Sequence, residues 1–286
     1  MSRLDFTVVD LPESSQCKTA VLVTGAHGVM LVDTGLTRSD GRRLAERVRA
    51  TGLPLTTVVV SHSDPDFYFG TEEVHNAFPE AAFLAHPVVI GQIAQTYPAE
   101  LAAWASQLGS ELPTRPPRLQ PMAGEAVEFE GHRFEVRGFE LGLPDRHYLW
   151  EHRTRVVLGG VLLFQDVHPR TADTPTAVQR VAWIDLLDGM TALDPALVLP
   201  GHRAGSSPTA PGASSAIAFT QDYLKAFERE LGRTGDAAAA EAALLRLYPD
   251  AALPSAAATG TRAALGTAGP PAGGAAGEAA GRTAQG

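Results

Sequence analysis

The sequence predicts an α/β chain folded as a four-layered αβ/βα sandwich, and three observations carry that prediction. Short β-branched runs fall in two blocks, one over residues 19–61 and one over residues 126–159. Each block gives way to stretches whose apolar residues recur at helical spacing, the alternation from which layered domains are built. Residues able to do chemistry, His62, Asp64, Asp66 and His202, stand where those strands end.

The elements follow from local signals. Thr19 to Thr24 and Gly28 to Asp33 form a hairpin around Gly25-Ala26-His27. Ser39-Asp40 caps a helix over Gly41 to Ala50, with Leu44, Ala45 and Val48 inward, and Gly52-Leu53-Pro54 stops it before the strand Thr56 to Ser61. A polar helix follows Gly70, then a small strand from Ala82 to Ala85. His86-Pro87 opens a helix to Gln95, and Pro98 starts a separate one to Gly109. Pro113 to Pro121 reads as a loop. Strands return at Ala126 to Phe129, His132 to Val136, His147 to Trp150 and Arg155 to Gly159. In the helix Thr176 to Leu193, the period predicts Val178, Val181, Ala182, Leu186, Leu187, Met190 and Leu193 facing inward. A last strand, Ala196 to Leu199, precedes Pro200-Gly201-His202, and helices over Ser214 to Leu231 and Asp236 to Tyr248 close a domain spanning residues 1–250. Residues 251–286 are rich in Ala, Gly, Pro, Ser and Thr, and the reading is a disordered tail, too poor in apolar surface to offset the entropy of ordering.

Composition narrows the function. The 286 residues, 44% of them apolar, suffice for a large core. A net charge of −9 argues against nucleic acid or an anionic membrane surface as main partner and leaves a small molecule or a protein, of which a small-molecule substrate is the expected one; oligomeric state is not encoded. The single cysteine, Cys17, excludes an internal disulfide and a Cys-based zinc cluster and reads as a small buried hydrophobe. Without a leader-like N-terminus or an apolar window of membrane length, the expected location is cytoplasmic.

The richest stretch is Val58-Val59-Val60-Ser61-His62-Ser63-Asp64-Pro65-Asp66-Phe67-Tyr68-Phe69-Gly70. In an extended backbone His62, Asp64 and Asp66 leave on one side, so five residues could build a metal or proton-transfer site. The bland reading is a strand ending in a polar Asp-Pro turn. The stretch resembles the signature loop of the metallo-β-lactamase superfamily of hydrolases, His-x-His-x-Asp-His with a glycine shortly after. On that pattern His62 and Asp66 match, Asp64 replaces the second histidine, Phe67 the last, and Gly70 is the glycine. The resemblance extends over Thr19 to His202. Val32-Asp33-Thr34-Gly35 resembles the strand end whose aspartate supports the metal loop, and Pro200-Gly201-His202 the final ligand motif. Near the third histidine's position stand Glu140, Gly142, Asp145 and His147, of which Glu140 is favoured; Gly160 takes the place of the bridging aspartate. His168 and Asp173 resemble residues bordering the pocket in some branches, although an ordinary loop histidine is the simpler reading of His168.

The resemblance implies a metal site from His62, Asp64, Asp66, Glu140 and His202, holding one divalent ion, Zn²⁺, Mn²⁺ or Fe²⁺, since the losses at Phe67 and Gly160 disfavour a two-metal centre. Metal-bound water would then hydrolyse an ester, thioester or lactone, with Asp66, His62 and Asp64 as catalytic groups and Phe67, Tyr68, His168 and Asp173 against the substrate. A metal-free site stays open. Asp64 and Asp66 would there form an acid/base pair, one with a raised pKa, for an elimination, cyclisation or rearrangement in a biosynthetic pathway. A non-catalytic binding protein is the third reading.

Overall fold

A computed structural model describes residues 3–205 and 215–267. The chain opens with three antiparallel strands, β1 (Asp5–Asp10), β2 (Thr19–Thr24) and β3 (Val29–Val32), followed by helix α1 (Arg38–Ala50) and strand β4 (Leu55–Val60). Two short helices, α2 (Pro65–Tyr68) and α3 (Thr71–Ala77), carry the chain to β5 (Ala82–Ala85), the long helix α4 (Pro87–Leu108) and β6 (Gln120–Pro121). These strands make a six-stranded sheet in the order β1-β2-β3-β4-β5-β6, parallel from β3 onward.

A second sheet comes from β7 (Ala126–Phe129), β8 (His132–Gly138), β9 (His147–Glu151) and β10 (Val156–Leu158). Strand β11 (Phe164–Gln165), helix α5 (Ala177–Ala192), β12 (Leu197–Leu199) and β13 (His202–Arg203) follow. Its order is β12-β10-β9-β8-β7, while β11 and β13 pair separately. Helices α6 (Ser215–Thr234), α7 (Ala237–Leu247) and α8 (Pro254–Ala264) finish the described chain. None of the described helices is long and apolar enough to cross a membrane.

The apolar clusters identify the layers. Val21, Val23, Met30, Val32 and Val59 of the first sheet pack against Phe134, Val136, Leu149, Val156 and Leu158 of the second, so the two sheets lie face to face. The outer face of the first sheet buries Leu22, Leu31 and Val58 against Leu44 and Val48 of α1 and Val74 of α3. That of the second buries Tyr148, Trp150 and Val157 against Trp183, Leu187 and Met190 of α5 and Ile217 and Leu224 of α6. Both faces of each sheet are covered, which is why strands such as Val29–Val32 are apolar throughout instead of alternating. The predicted αβ/βα order is present.

Three local readings change. Helix α4 runs unbroken through Pro98, because Val89, Ile93, Tyr97 and Trp104 seat both halves on one apolar cluster and that burial outweighs the lost backbone bond. On α5, Val178 is 74% exposed and Val181 53%; Arg180 turns inward instead, its Nη1 donating to the Thr174 carbonyl at 2.7 Å and its Nε pairing with Glu228. The stretch after Ala251 is structured at least to residue 267. Helix α8 buries Ala256, Ala257 and Ala258, and Gly260 lies so close to Thr171 that a Cβ there would meet its Oγ1 at 2.0 Å. Small residues that signal low complexity also permit close helix packing. Residues 268–286 of that predicted tail lie outside the described residues.

Candidate functional site

The site lies where β4 ends between the two sheets. Asp33, at the end of β3, holds the following loop from behind, as the motif suggests: its Oδ1 accepts the Ser61 backbone N–H at 2.8 Å and its Oδ2 the Ser61 hydroxyl at 2.9 Å. The Thr34 N–H donates to the Phe67 carbonyl at 2.9 Å, and Gly70 packs against Thr34 with no room for a Cβ, which would lie 2.0 Å from that residue's carbonyl oxygen.

The loop does not stay extended. Pro65, with its preset φ, starts helix α2, and the turn sends Asp66 away from Asp64. His62, Asp64 and Asp66 therefore do not converge as the extended reading expects. His62 Nδ1 lies 3.5 Å from the Asp64 carboxylate and its Nε2 lies 3.9 Å from that of Asp145. Asp66 reaches across to His202, with Nε2 and Oδ2 2.8 Å apart, and the His202 ring stacks on Phe164 at 4.8 Å.

Two histidines of similar burial thus differ in charge. Burial opposes protonation of His62, but Asp64 and Asp145 overcome it and hold the pKa up at about 9. Nδ1 also lies 3.2 Å from the Asp64 backbone N–H, a contact that serves the neutral ring; the facing carboxylates favour the charged one. At His202 burial prevails over the attraction of Asp66, helped by the Lys18 and Arg170 charges, and the pKa falls. Burial alone would raise Asp64, yet His62, Arg170 and Arg146 hold it below the ordinary carboxylate range. The predicted Asp64/Asp66 pair with one raised pKa is therefore replaced by two separate carboxylate–imidazole pairs.

Phe67 occupies the space between them, edge-on to His62 at 5.3 Å and to His202 at 5.6 Å. Above its ring, at 4.1 Å, sits the fully buried ammonium of Lys18, which also donates to Asp33 Oδ2 at 2.9 Å and to the Thr19 carbonyl at 2.6 Å. The sequence signal for Lys18 is a lysine directly before a mostly apolar strand.

Glu140, the favoured third ligand, is exposed and lines a separate surface cleft with Leu141, Gly142, Tyr148 and Leu186, so it is not in the site. Asp145 from the same loop takes the place beside His62. His147 is buried and stacked on Phe139 at 4.7 Å; burial and the neighbouring His62 and His86 push its pKa down to about 3. Gly160 has φ +51°, and a Cβ there would stand 3.3 Å from Ser61 Oγ. Tyr68 is buried with Tyr97 and Phe69, its hydroxyl without a hydrogen-bond partner among the described residues. Asp173 joins the site's charges through Arg170, 3.6 Å away, and burial raises its pKa. His168 is tied elsewhere, its Nδ1 3.0 Å from the Tyr223 hydroxyl on α6. Arg170 stabilises both halves: its charge is favoured by Asp173, Asp64, Asp66 and Glu100 against burial. Glu100 itself is pushed up to about 7, by burial and by the nearby charge of Asp64.

The family model of the metallo-β-lactamase superfamily matches residues 18–202. The chain belongs to that superfamily. Among solved structures it resembles a metallo-β-lactamase family protein of Thermus thermophilus, with 21% identity, a TM-score of 0.61 and coverage of 91% of each chain. A β-lactamase domain protein of Burkholderia ambifaria matches with 18% identity and a TM-score of 0.64, over 92% of this chain and 85% of that one. At these identities the likeness concerns the fold. Among curated proteins nothing matches.

Superfamily members typically bind divalent metals, and the residues of this chain do not fit one. Among the described residues no group of three or more His, Cys, Asp or Glu side chains could hold a metal ion. Asp66 is spent on His202, Phe67 fills the centre, and a buried ammonium stands over it, where a dication would meet repulsion.

Proposed function

We propose that this superfamily member acts on a small carbonyl compound by proton transfer without a metal, in an elimination, cyclisation or rearrangement. The observation that carries this reading is Phe67 packed between His62 and His202 beneath the Lys18 ammonium. His202 is the base. With Nε2–H donating to the Asp66 carboxylate, Nδ1, which has no hydrogen-bond partner among the described residues, is the basic atom. His62 is the acid: held protonated by its carboxylates, it offers the Nε2–H, which has Asp145 at 3.9 Å but no hydrogen-bond partner among the described residues, to an oxygen gaining negative charge. Glu100, pushed into the neutral range, is a second buried group able to exchange a proton. Hydrolysis of an ester, thioester or lactone asks more of the site, because water must be activated by His202 and Asp66 alone.

Elemental mass spectrometry on untagged protein, incubated with Zn²⁺, Mn²⁺ or Fe²⁺ beside a His62→Ala control, tests the first half. No stoichiometric metal is expected; stoichiometric metal that disappears in the control would return the site to metal chemistry. A screen of β-hydroxy carbonyl compounds, thioesters and lactones tests the second. Turnover is expected to survive a chelator and to fall by about 10²–10⁴ in Asp66→Asn or His202→Gln. Turnover insensitive to both substitutions overturns the assignment.

A further inference from the structure

Arg146 is a buried cation whose guanidinium donors lack hydrogen bonds among the described residues. It is 1% exposed, and Nε, Nη1 and Nη2 all lack hydrogen-bond partners among the described residues. Five N–H donors stripped of water are costly to leave unfilled. The fold nevertheless fixes the group. One guanidinium face lies over the Trp183 ring at 4.7 Å, and the indole is anchored by its N–H to the Leu162 carbonyl at 3.0 Å.

Arg180 shows what a structural arginine looks like in this molecule. It is 3% exposed and lies over Phe227 at 5.1 Å, yet it donates to the Thr174 carbonyl and pairs with Glu228. Arg146 has the same burial and the same stacking without the acceptors. Carboxylates near it, those of Asp64, Asp145 and Asp173, feel its charge, and with Asp64 and Asp145 sharing His62 and Asp173 facing Arg170 the surplus negative charge balances that of Arg146, yet none of the three hydrogen-bonds the guanidinium. They balance charge and leave the guanidinium edge empty.

We propose that Arg146 is the receptor for a carboxylate on the substrate. The guanidinium lies against Trp183 and keeps Nε, Nη1 and Nη2 without partners among the described residues, and a guanidinium with its donors free offers parallel N–H bonds that a planar carboxylate accepts in pairs. The side chains of Asp64 and Asp145, whose charges Arg146 feels, keep 25% and 32% of their surface in solvent, so the side of the site beside His62 is its solvent-facing side. A carboxylate on Arg146 would place the rest of the molecule against that imidazolium. The assignment rests on the acid–base reading for what happens next, though not for the binding itself.

Calorimetry and ligand-induced shifts in Tm with acetate and benzoate, against the neutral acetamide and benzamide and with inorganic phosphate alongside, provide the test. The carboxylates are expected to bind about tenfold or more tighter than the amides. That preference should vanish in Arg146→Gln, return in part in Arg146→Lys, which keeps the charge without the fork, and persist in Asp66→Asn, whose turnover is lost. Equal binding of acids and amides by the wild-type protein, or an Arg146→Gln variant that keeps the preference, overturns the proposal. A response to phosphate alone overturns the choice of carboxylate. Should Arg146→Gln fail to fold, the wild-type acid and amide pairs still decide. Loss of turnover in Asp66→Asn with intact carboxylate preference separates failure of the binding site from failure of the chemistry.

Discussion

The His62 and His202 halves of the site set the same side chain in similar burial, 3% and 1% exposed, and reach opposite charge states. His62 faces two carboxylates and is held charged; His202 faces one, with Lys18 and Arg170 nearby, and is held neutral. Desolvation is common to both, so the neighbouring charges decide. The fold thereby makes an acid and a base from one residue type, on the two sides of Phe67.

Removing the cation on the neutral side is the strongest way to break this contrast. Lys18→Met leaves Asp33 buried without its ionic partner and is expected to cost about 3–5 kcal/mol in chemical denaturation, with the His202 pKa rising. A change within experimental error would mean that Lys18 is merely accommodated. Glu100→Gln tests whether the chamber penalises ionised carboxylates. Because the folded pKa is raised from 4.5 to about 7, the wild-type protein loses stability as pH climbs through that window. The variant should therefore be more stable than wild type by up to roughly 3 kcal/mol above pH 7, an advantage absent at pH 4. A gain independent of pH would point to packing.

Smaller substitutions sharpen the charged side. Asp64→Asn should bring His62 down towards its ordinary 6.5, read by imidazole NMR. His62 has a raised folded pKa, so its contribution to stability is fully present below 6.5 and is lost as pH rises through about 9; the variant should lack that pH dependence. Screening at the partly open Asp64 limits the effect to about 1–2 kcal/mol. Asp145→Asn, acting from 3.9 Å and more exposed, should move His62 less, by about 1 kcal/mol or under. An equal or larger shift would reverse the ranking of the two carboxylates.

Much of the fold was legible because its signals are local. Buried strands announce themselves as apolar runs, and Thr176, with its reciprocal bonds to Gln179, caps α5 where the pattern placed its start. Misreadings came where tertiary burial overrode a local rule. Pro98 should end a helix and does not; Val178 and Val181 keep the apolar period while Arg180 takes the inward position; the Ala-rich stretch after Ala251 becomes α8. In the site, Glu140 and Asp145 are both acidic residues of one loop, and nothing local says that Asp145 is the one beside His62.

The sequence by itself carried the resemblance to the superfamily, the layered order of strands and helices, the place of His62 after an apolar strand, and, laid on the family pattern, the absence of ligand side chains at Phe67 and Gly160. Apolar runs and helical periods are local signals, and the family resemblance rests on short motifs that can be matched one at a time. Only the tertiary structure decided that Asp66 pairs with a histidine 136 residues away, that Asp145 supports His62, that Lys18 lies over Phe67, and that Arg146 is buried with empty donors. Each depends on where separate strand ends meet. Charge and hydrogen bonding act across a few ångströms of space, a distance that sequence separation does not encode.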